Sequence, residues 1–266
     1  MAESIPGNLS EQDIERKVQE TTAAMMKGDL TAAYTIAEGA IAAGAEHPVL
    51  LKVKALWLHN EGQYQEALRA FHYARTLTPD DPSILDGIAG CLAGMGAYDA
   101  ALKVLDASLE LAPDAPPTLF LCGWIHETSG NLPMARKSYE RTLSLDPRHV
   151  EAMAGLASVA VSLNDLVTAR ALAAQALAID PRQTTASIAM AKADLAQGKP
   201  VAAEGRMRNV LQINAHPRAR LLALGALADA LEAQGRVSEA LATRNERDAE
   251  LARSAAPAAK PVEPMH

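Results

Sequence analysis

The sequence repeats a pattern every 34 residues over most of its 266-residue length. A proline closes a similar four-residue phrase at each step, and a glycine or asparagine followed five residues later by an alanine marks the middle of each unit. Glycine and asparagine tolerate the left-handed backbone of a tight turn, alanine lets two helices cross closely, and proline cannot continue a helix. The period therefore predicts a repeated unit of helix, turn, helix and break. The marker residues are Pro79, Pro113, Pro147 and Pro181; Gly28, Gly62, Gly96, Gly130, Asn164 and Gly198; and Ala33, Ala67, Ala101, Ala135, Ala169 and Ala203.

The composition favours helix over strand throughout. Alanine and leucine dominate, only 3% of the residues are aromatic, and apolar residues recur at three- and four-residue steps, as in Leu51, Ala55 and Leu58. The net charge of −7 argues against a protein whose main partner is a nucleic acid, because phosphate backbones attract basic surfaces. Two cysteines make neither a disulfide framework nor a four-cysteine zinc site.

The 34-residue pattern resembles the tetratricopeptide repeat (TPR), whose large, small and aromatic signature positions recur in register. The second repeat carries Leu51, Ala55, Leu58, Tyr64, Ala67, Phe71, Ala74 and Pro79; the third carries Leu85, Ala89, Leu92, Tyr98, Ala101, Leu105, Ser108 and Pro113. The resemblance implies an all-α, right-handed α-solenoid of about seven helix-turn-helix repeats over residues 14–254. Their expected bounds are 14–47, 48–81, 82–115, 116–149, 150–183, 184–217 and 221–254. Residues 1–13 are then an N-terminal segment, and the Pro/Ala-rich residues 255–266 are expected to be a disordered tail.

The resemblance also implies a concave groove, lined by the first helix of each repeat, that binds a peptide or helix of a partner protein. All nine aromatic residues lie between Tyr34 and Tyr139, so we expect the main binding surface on repeats 2–4. The third repeat offers glycines there while the fourth offers Phe120 and Trp124, which indicates either a pocket for an apolar side chain or a close approach of neighbouring helices. The candidate groove residues are Leu56, Asn60, Asp86, Gly87, Gly90, Phe120, Leu121, Trp124 and Ser158.

No catalytic, metal-binding or cofactor-binding motif is recognisable, so we expect no enzyme, metal or cofactor. The histidines show no metal-binding pairing at four-residue spacing, Cys91 and Cys122 fall at inward-packing positions, and the carboxylates are expected to be solvated. Arginines form one local basic cluster, expected either to be a solvated helix face or to contact an acidic partner; its members are Arg206, Arg208, Arg218 and Arg220.

The expected function is a non-catalytic interaction scaffold or adaptor. Two sharper alternatives rest on partial resemblances: residues 90–102 and 116–120 look like the TPR chaperones of type III secretion translocators, and residues 227–236 resemble the TPR half of bacterial TPR-sulfotransferases. In the second alternative the chain is a regulatory arm whose catalytic domain is absent. A signal peptide and a membrane-spanning segment are not recognisable, so we expect a cytoplasmic protein without membrane insertion, and homodimerisation stays open.

Overall fold

The computed structural model describes residues 9–213 and 217–255, and these form helices joined by short turns, with no β-strand in the described ranges. The all-α solenoid of helix-turn-helix repeats expected from the sequence is confirmed. The helices are α1 (Glu11–Met26), α2 (Leu30–Ala42), α3 (Pro48–Asn60), α4 (Tyr64–Leu77), α5 (Pro82–Gly94), α6 (Tyr98–Leu111), α7 (Pro116–Thr128), α8 (Leu132–Leu145), α9 (Val150–Ser162), α10 (Leu166–Ile179), α11 (Thr184–Ala196), α12 (Pro200–Ile213), α13 (Pro217–Glu232) and α14 (Val237–Ala255).

The marker residues of the 34-residue period have the turn conformation and the burial that their chemistry predicts. The glycine or asparagine of each unit lies in the turn between two helices with a positive φ, which is 75° at Gly62 and 60° at Asn164. The alanine that follows five residues later is completely buried in all six units from Ala33 to Ala203. The repeat therefore comes from local turn geometry combined with close helix packing.

The helices divide into two compact units, residues 1–134 and residues 135–266. In the first unit each helix packs on the next, and the first helices of successive pairs (α1, α3, α5 and α7) also contact one another. Its apolar core runs through Ala37, Leu50, Phe71, Ile84 and Leu105. This arrangement places α3, α5 and α7 side by side.

The second unit, which starts within α8, continues in the same way from α9 to α14, with α9, α11 and α13 in successive contact. Its core uses small and flexible side chains in place of aromatic rings, among them Met153, Ala173, Met190, Met207 and Leu231. Tyr139 is the large aromatic exception: it is 1% exposed and packs against Gly155.

The ends of the chain differ in detail from the expected bounds. Helix α1 already begins at Glu11, where Ser10 caps it and bonds to Asp13. Helix α13 begins at Pro217, four residues before the expected start of the last repeat. Residue 255 is the last of α14; the rest of the expected tail (256–266) and residues 1–8 lie outside the described residues.

Candidate functional site

The neighbouring first helices of the first unit are joined by polar contacts near their N-termini. Lys52 on α3 donates a hydrogen bond through Nζ to Oδ2 of Asp81 at 2.8 Å and to Oγ of Ser83 at 3.1 Å. Asp81 is also the N-cap of α5, since Oδ1 accepts from the backbone N–H of Ser83 at 2.9 Å. The start of α5 is therefore tied to α3, and the positive charge of Lys52 is neutralised.

Asp86, one turn further along α5, ties three helices together, and no basic side chain that the structure describes pairs with it. Its Oδ1 accepts a 2.8 Å hydrogen bond from Ser108 Oγ on α6, and its Oδ2 accepts one of 2.8 Å from Thr118 Oγ1 on α7. Burial raises the pKa of the Asp86 carboxyl; the two hydroxyl bonds oppose that effect, and the nearby charge of Asp81 adds to it. Asp86 is thus a half-buried carboxylate held by neutral donors.

The glycines of α5 fall into two classes. A Cβ atom on Gly87 would lie 2.2 Å from Cζ of Phe71, and one on Gly94 would lie 2.5 Å from Cε1 of Tyr64. These two glycines make room for aromatic rings of α4, which supports the close-approach interpretation at both positions. Gly90 is also buried, but a Cβ there would lie 3.5 Å from Nε2 of His59, an ordinary van der Waals distance.

The other predicted groove residues lie on the helices that flank α5. On α3, Leu56 is 38% exposed and Asn60 is exposed. On α7, Phe120, Leu121 and Trp124 are partly buried, and the last two pack on the apolar cluster that contains Leu105 and Ile125. The remaining candidate lies elsewhere, since Ser158 is a partly buried residue of α9 in the second unit.

A cleft of about 490 Å³ lies away from these candidate residues, between α2, α3 and α4, and was not anticipated. Tyr34, one of its lining residues, stacks on Trp57 with ring centroids 3.9 Å apart. Ion-pairing side chains also line the cleft: Lys54 Nζ lies 2.8 Å from Glu38 Oε2. The two stacked rings come from different helix pairs at unrelated repeat positions, so the period gives no signal for this contact.

The expectation that the carboxylates are solvated is wrong in the second unit as well as at Asp86. Asp194 on α11 is 1% exposed and lies between Arg170 and Arg206, whose Nε is 2.9 Å from Oδ2. Burial alone would raise the pKa of Asp194, but the two arginines outweigh burial and hold it below its ordinary range. The signal in the sequence was a lone acidic residue in the alanine-rich stretch that forms α11.

The predicted basic cluster is largely neutralised by acidic side chains of the same unit. Besides the pair between Arg206 and Asp194, Arg208 lies 2.8 Å from Glu204, and Arg220 pairs with Glu246 and Glu250. The side chain of Arg218 lies outside the described residues. These ion pairs indicate that the described arginines of the cluster hold helices of the second unit together.

The two cysteine thiols lie in the packed interior. Both Cys91 and Cys122 are buried, and burial raises the pKa of each thiol to about 12. In the described ranges, no three histidine, cysteine or acidic side chains are grouped so as to hold a metal ion. Of the helices in that part of the chain, none combines the length and apolar character needed to cross a membrane.

Comparison with known proteins finds one family whose models match parts of the chain. Two models described as tetratricopeptide repeat match, over residues 58–118 and 123–184. None of the curated proteins with which the sequence was compared matches it significantly.

The fold is similar to that of several solved structures. A tetratricopeptide repeat protein from Parabacteroides merdae is 18% identical with a TM-score of 0.64, covering 90% of this chain and 93% of that chain. A thermophilic TPR protein of Thermus thermophilus is 20% identical with a TM-score of 0.58, over 66% and 97% of the two chains. Yeast Tom70 is 17% identical with a TM-score of 0.61, over 88% of this chain and 50% of that one. At these identities the likeness concerns the fold alone.

Proposed function

This chain is a tetratricopeptide repeat protein, and on that premise we propose that it is a non-catalytic scaffold that binds a segment of a partner protein on α3, α5 and α7, the first helices of repeats 2–4. TPR repeats support a general role in protein interaction. The proposal adds to that role a particular surface, which we call the α3-α5-α7 surface. It consists of Leu56, Asn60, Asp86, Gly87, Gly90, Phe120, Leu121 and Trp124.

One observation carries the choice of surface. Leu56 on α3 is 38% exposed and Trp124 on α7 is partly exposed, and the two residues occupy the equivalent position of their own repeats on either side of α5. Large apolar side chains that keep part of their surface in solvent can hold an apolar side chain of a partner, and such anchors dominate binding energy in protein interfaces. The glycines of α5 contribute no open pocket between them, because rings of α4 fill the space beside Gly87 and Gly94, and Gly90 is buried beside His59.

Ser158, the cytoplasmic location and the homodimer remain sequence predictions. The same holds for the two sharper alternatives, the type III secretion chaperone and the regulatory arm of a sulfotransferase. No contact in the described residues favours either alternative over a general scaffold.

The test compares two leucines of equal exposure. Leu56 on α3 and Leu77 at the end of α4 are both 38% exposed, but only Leu56 belongs to the proposed surface. Wild type, Leu56→Glu and Leu77→Glu would each serve as bait in a lysate of the source organism, with bound proteins identified by mass spectrometry. Circular dichroism would first establish that the three baits have equal helix content.

We expect a defined partner that wild type and Leu77→Glu retain and Leu56→Glu loses, because a charge on the surface prevents apolar contact. A partner that Leu56→Glu retains as well as wild type does would refute this choice of surface.

A further inference from the structure

Three carboxylates that are at least half-buried in this protein differ in the groups that neutralise them. Asp194 and Glu204 are each paired with two arginines. Asp86 is held only by two neutral hydroxyls, and no ion pair joins it to a basic side chain among the described residues. Taking an anion out of water without a cation is unfavourable, so the charge of Asp86 needs an explanation.

The packing of the first unit does not supply that explanation. The hydroxyls of Ser108 and Thr118 could also bond to the neutral amide of an asparagine, because a hydroxyl both donates and accepts. The charge of Asp81 acts on Asp86 by repulsion and helps to raise its pKa, and Asp81 is itself paired with Lys52. The negative charge therefore opposes the stability of the free protein and is left uncompensated at the junction of α5 and α7.

The position of Asp86 relates this charge to the proposed surface. Asp86 and Gly90 are four residues apart on α5, so they share one face of the helix. Asp86 is partly exposed on this face, and each of its oxygens keeps a lone pair beyond the one used by its hydroxyl donor. A guanidinium or ammonium group can still reach those lone pairs.

We propose that Asp86 selects a partner segment that carries an arginine or lysine, which pairs with Asp86 while a neighbouring apolar side chain packs on Leu56 and Trp124. This inference rests on the proposed function of the α3-α5-α7 surface and names the chemistry of its partner. Charge complementarity is the reason, since Lys52 already has Asp81 as its partner and Asp86 forms no ion pair within the described part of the chain.

The energetic consequence is a charge-assisted hydrogen bond in a partly dehydrated site. Such a bond is worth enough to change affinity about tenfold or more, and the effect should weaken as salt is added. The isosteric variant Asp86→Asn removes the charge and retains groups that can bond to Ser108 and Thr118. It therefore separates recognition from folding.

The experiment selects peptides from a randomised display library on the full-length protein. Sequences of the bound peptides would be compared, and individual peptides would be measured by fluorescence anisotropy against wild type, Asp86→Asn, Leu56→Glu and Leu77→Glu. We expect an arginine or lysine at a fixed distance from a bulky apolar residue in the peptides that bind wild type. We also expect about a tenfold or greater loss of affinity with Asp86→Asn.

The outcomes separate a failure of the charge recognition at Asp86 from a failure of the proposed surface. Peptides that lose affinity with Leu56→Glu but bind Asp86→Asn as well as wild type would refute the charge recognition and leave the proposed surface standing. Peptides indifferent to Leu56→Glu, or the absence of any selected peptide, would count against the surface itself. A matched peptide with its basic residue replaced by glutamine should bind wild type and Asp86→Asn equally if the pair forms.

Discussion

Two glycines three residues apart on α5 should respond to the same substitution with opposite signs. Replacing Gly87 by alanine puts a Cβ atom 2.2 Å from the ring of Phe71, which is 1% exposed and cannot move into solvent. Replacing Gly90 by alanine puts a Cβ atom 3.5 Å from His59, an ordinary van der Waals distance. Both substitutions add the same methyl group to the interior of the same helix. A difference in stability between the two variants therefore reports on the packing of the Phe71 ring.

The magnitudes follow from two opposing effects. Alanine is favoured over glycine inside a helix by about 1 kcal/mol. Overpacking a core costs about 1–3 kcal/mol, and the short approach to Phe71 places Gly87 towards the upper end of that range. Gly87→Ala should therefore lose about 1–2 kcal/mol of unfolding free energy, whereas Gly90→Ala should gain up to about 1 kcal/mol.

The assay is urea unfolding followed by circular dichroism for wild type and both variants. Repeat proteins can unfold in steps, so midpoints and slopes are compared before free energies are assigned. The double variant Gly87→Ala with Phe71→Leu should recover part of the loss, since a smaller side chain relieves the overlap. Equal stability of the two single variants would refute the argument that Gly87 exists to admit the ring.

Three further outcomes follow from the buried polar groups. Asp194→Asn should lower the free energy of unfolding by about 1–3 kcal/mol at neutral pH, because two arginines, each about one-third exposed, lose their partner. This loss should shrink in acid, where the wild-type carboxyl becomes protonated. Urea unfolding at a series of pH values would show both effects. Asp86→Asn should instead raise the free energy of unfolding at pH 7. The Asp86 carboxyl has a raised pKa in the folded protein, so its ionisation costs the wild type stability. The advantage of the variant should disappear as the pH falls through the raised pKa towards 3.8. Equal pH dependence of Asp86→Asn and wild type would contradict this. Cys91 and Cys122, with pKa values of about 12, should react with a thiol reagent at about pH 8 only as fast as the protein opens, which a comparison of rates with and without urea would reveal.

The repeat architecture could be predicted from the sequence because its markers act locally. A residue in the turn must adopt a positive φ, and glycine or asparagine at the 34-residue step meets that requirement without reference to distant residues, as Gly62 and Asn164 do. The buried alanines are equally regular, since the two helices of a pair meet at a fixed distance from the turn. Helix class, turn position and helix pairing therefore followed from spacing alone.

The candidate site could be predicted only as a set of helix faces. The family pattern places Leu56 and Gly90 at equivalent positions, but it could not distinguish a glycine with room for a Cβ atom from one that receives a ring. That distinction depends on Phe71 and Tyr64, which reach α5 from the preceding pair. Ring position is decided by how successive pairs stack, and the period of the sequence does not specify it.

The sequence by itself determined the local structure of this protein: its helices, its turns and the small residues where helices cross. Only the tertiary structure decided the state of its charges. Asp86 and Asp194 each lie on the first helix of a repeat, yet one meets two hydroxyls from other helices and the other meets two arginines. The physical reason is that a carboxylate's environment is built by residues 12 to 32 positions away, which come together only when the helix pairs stack.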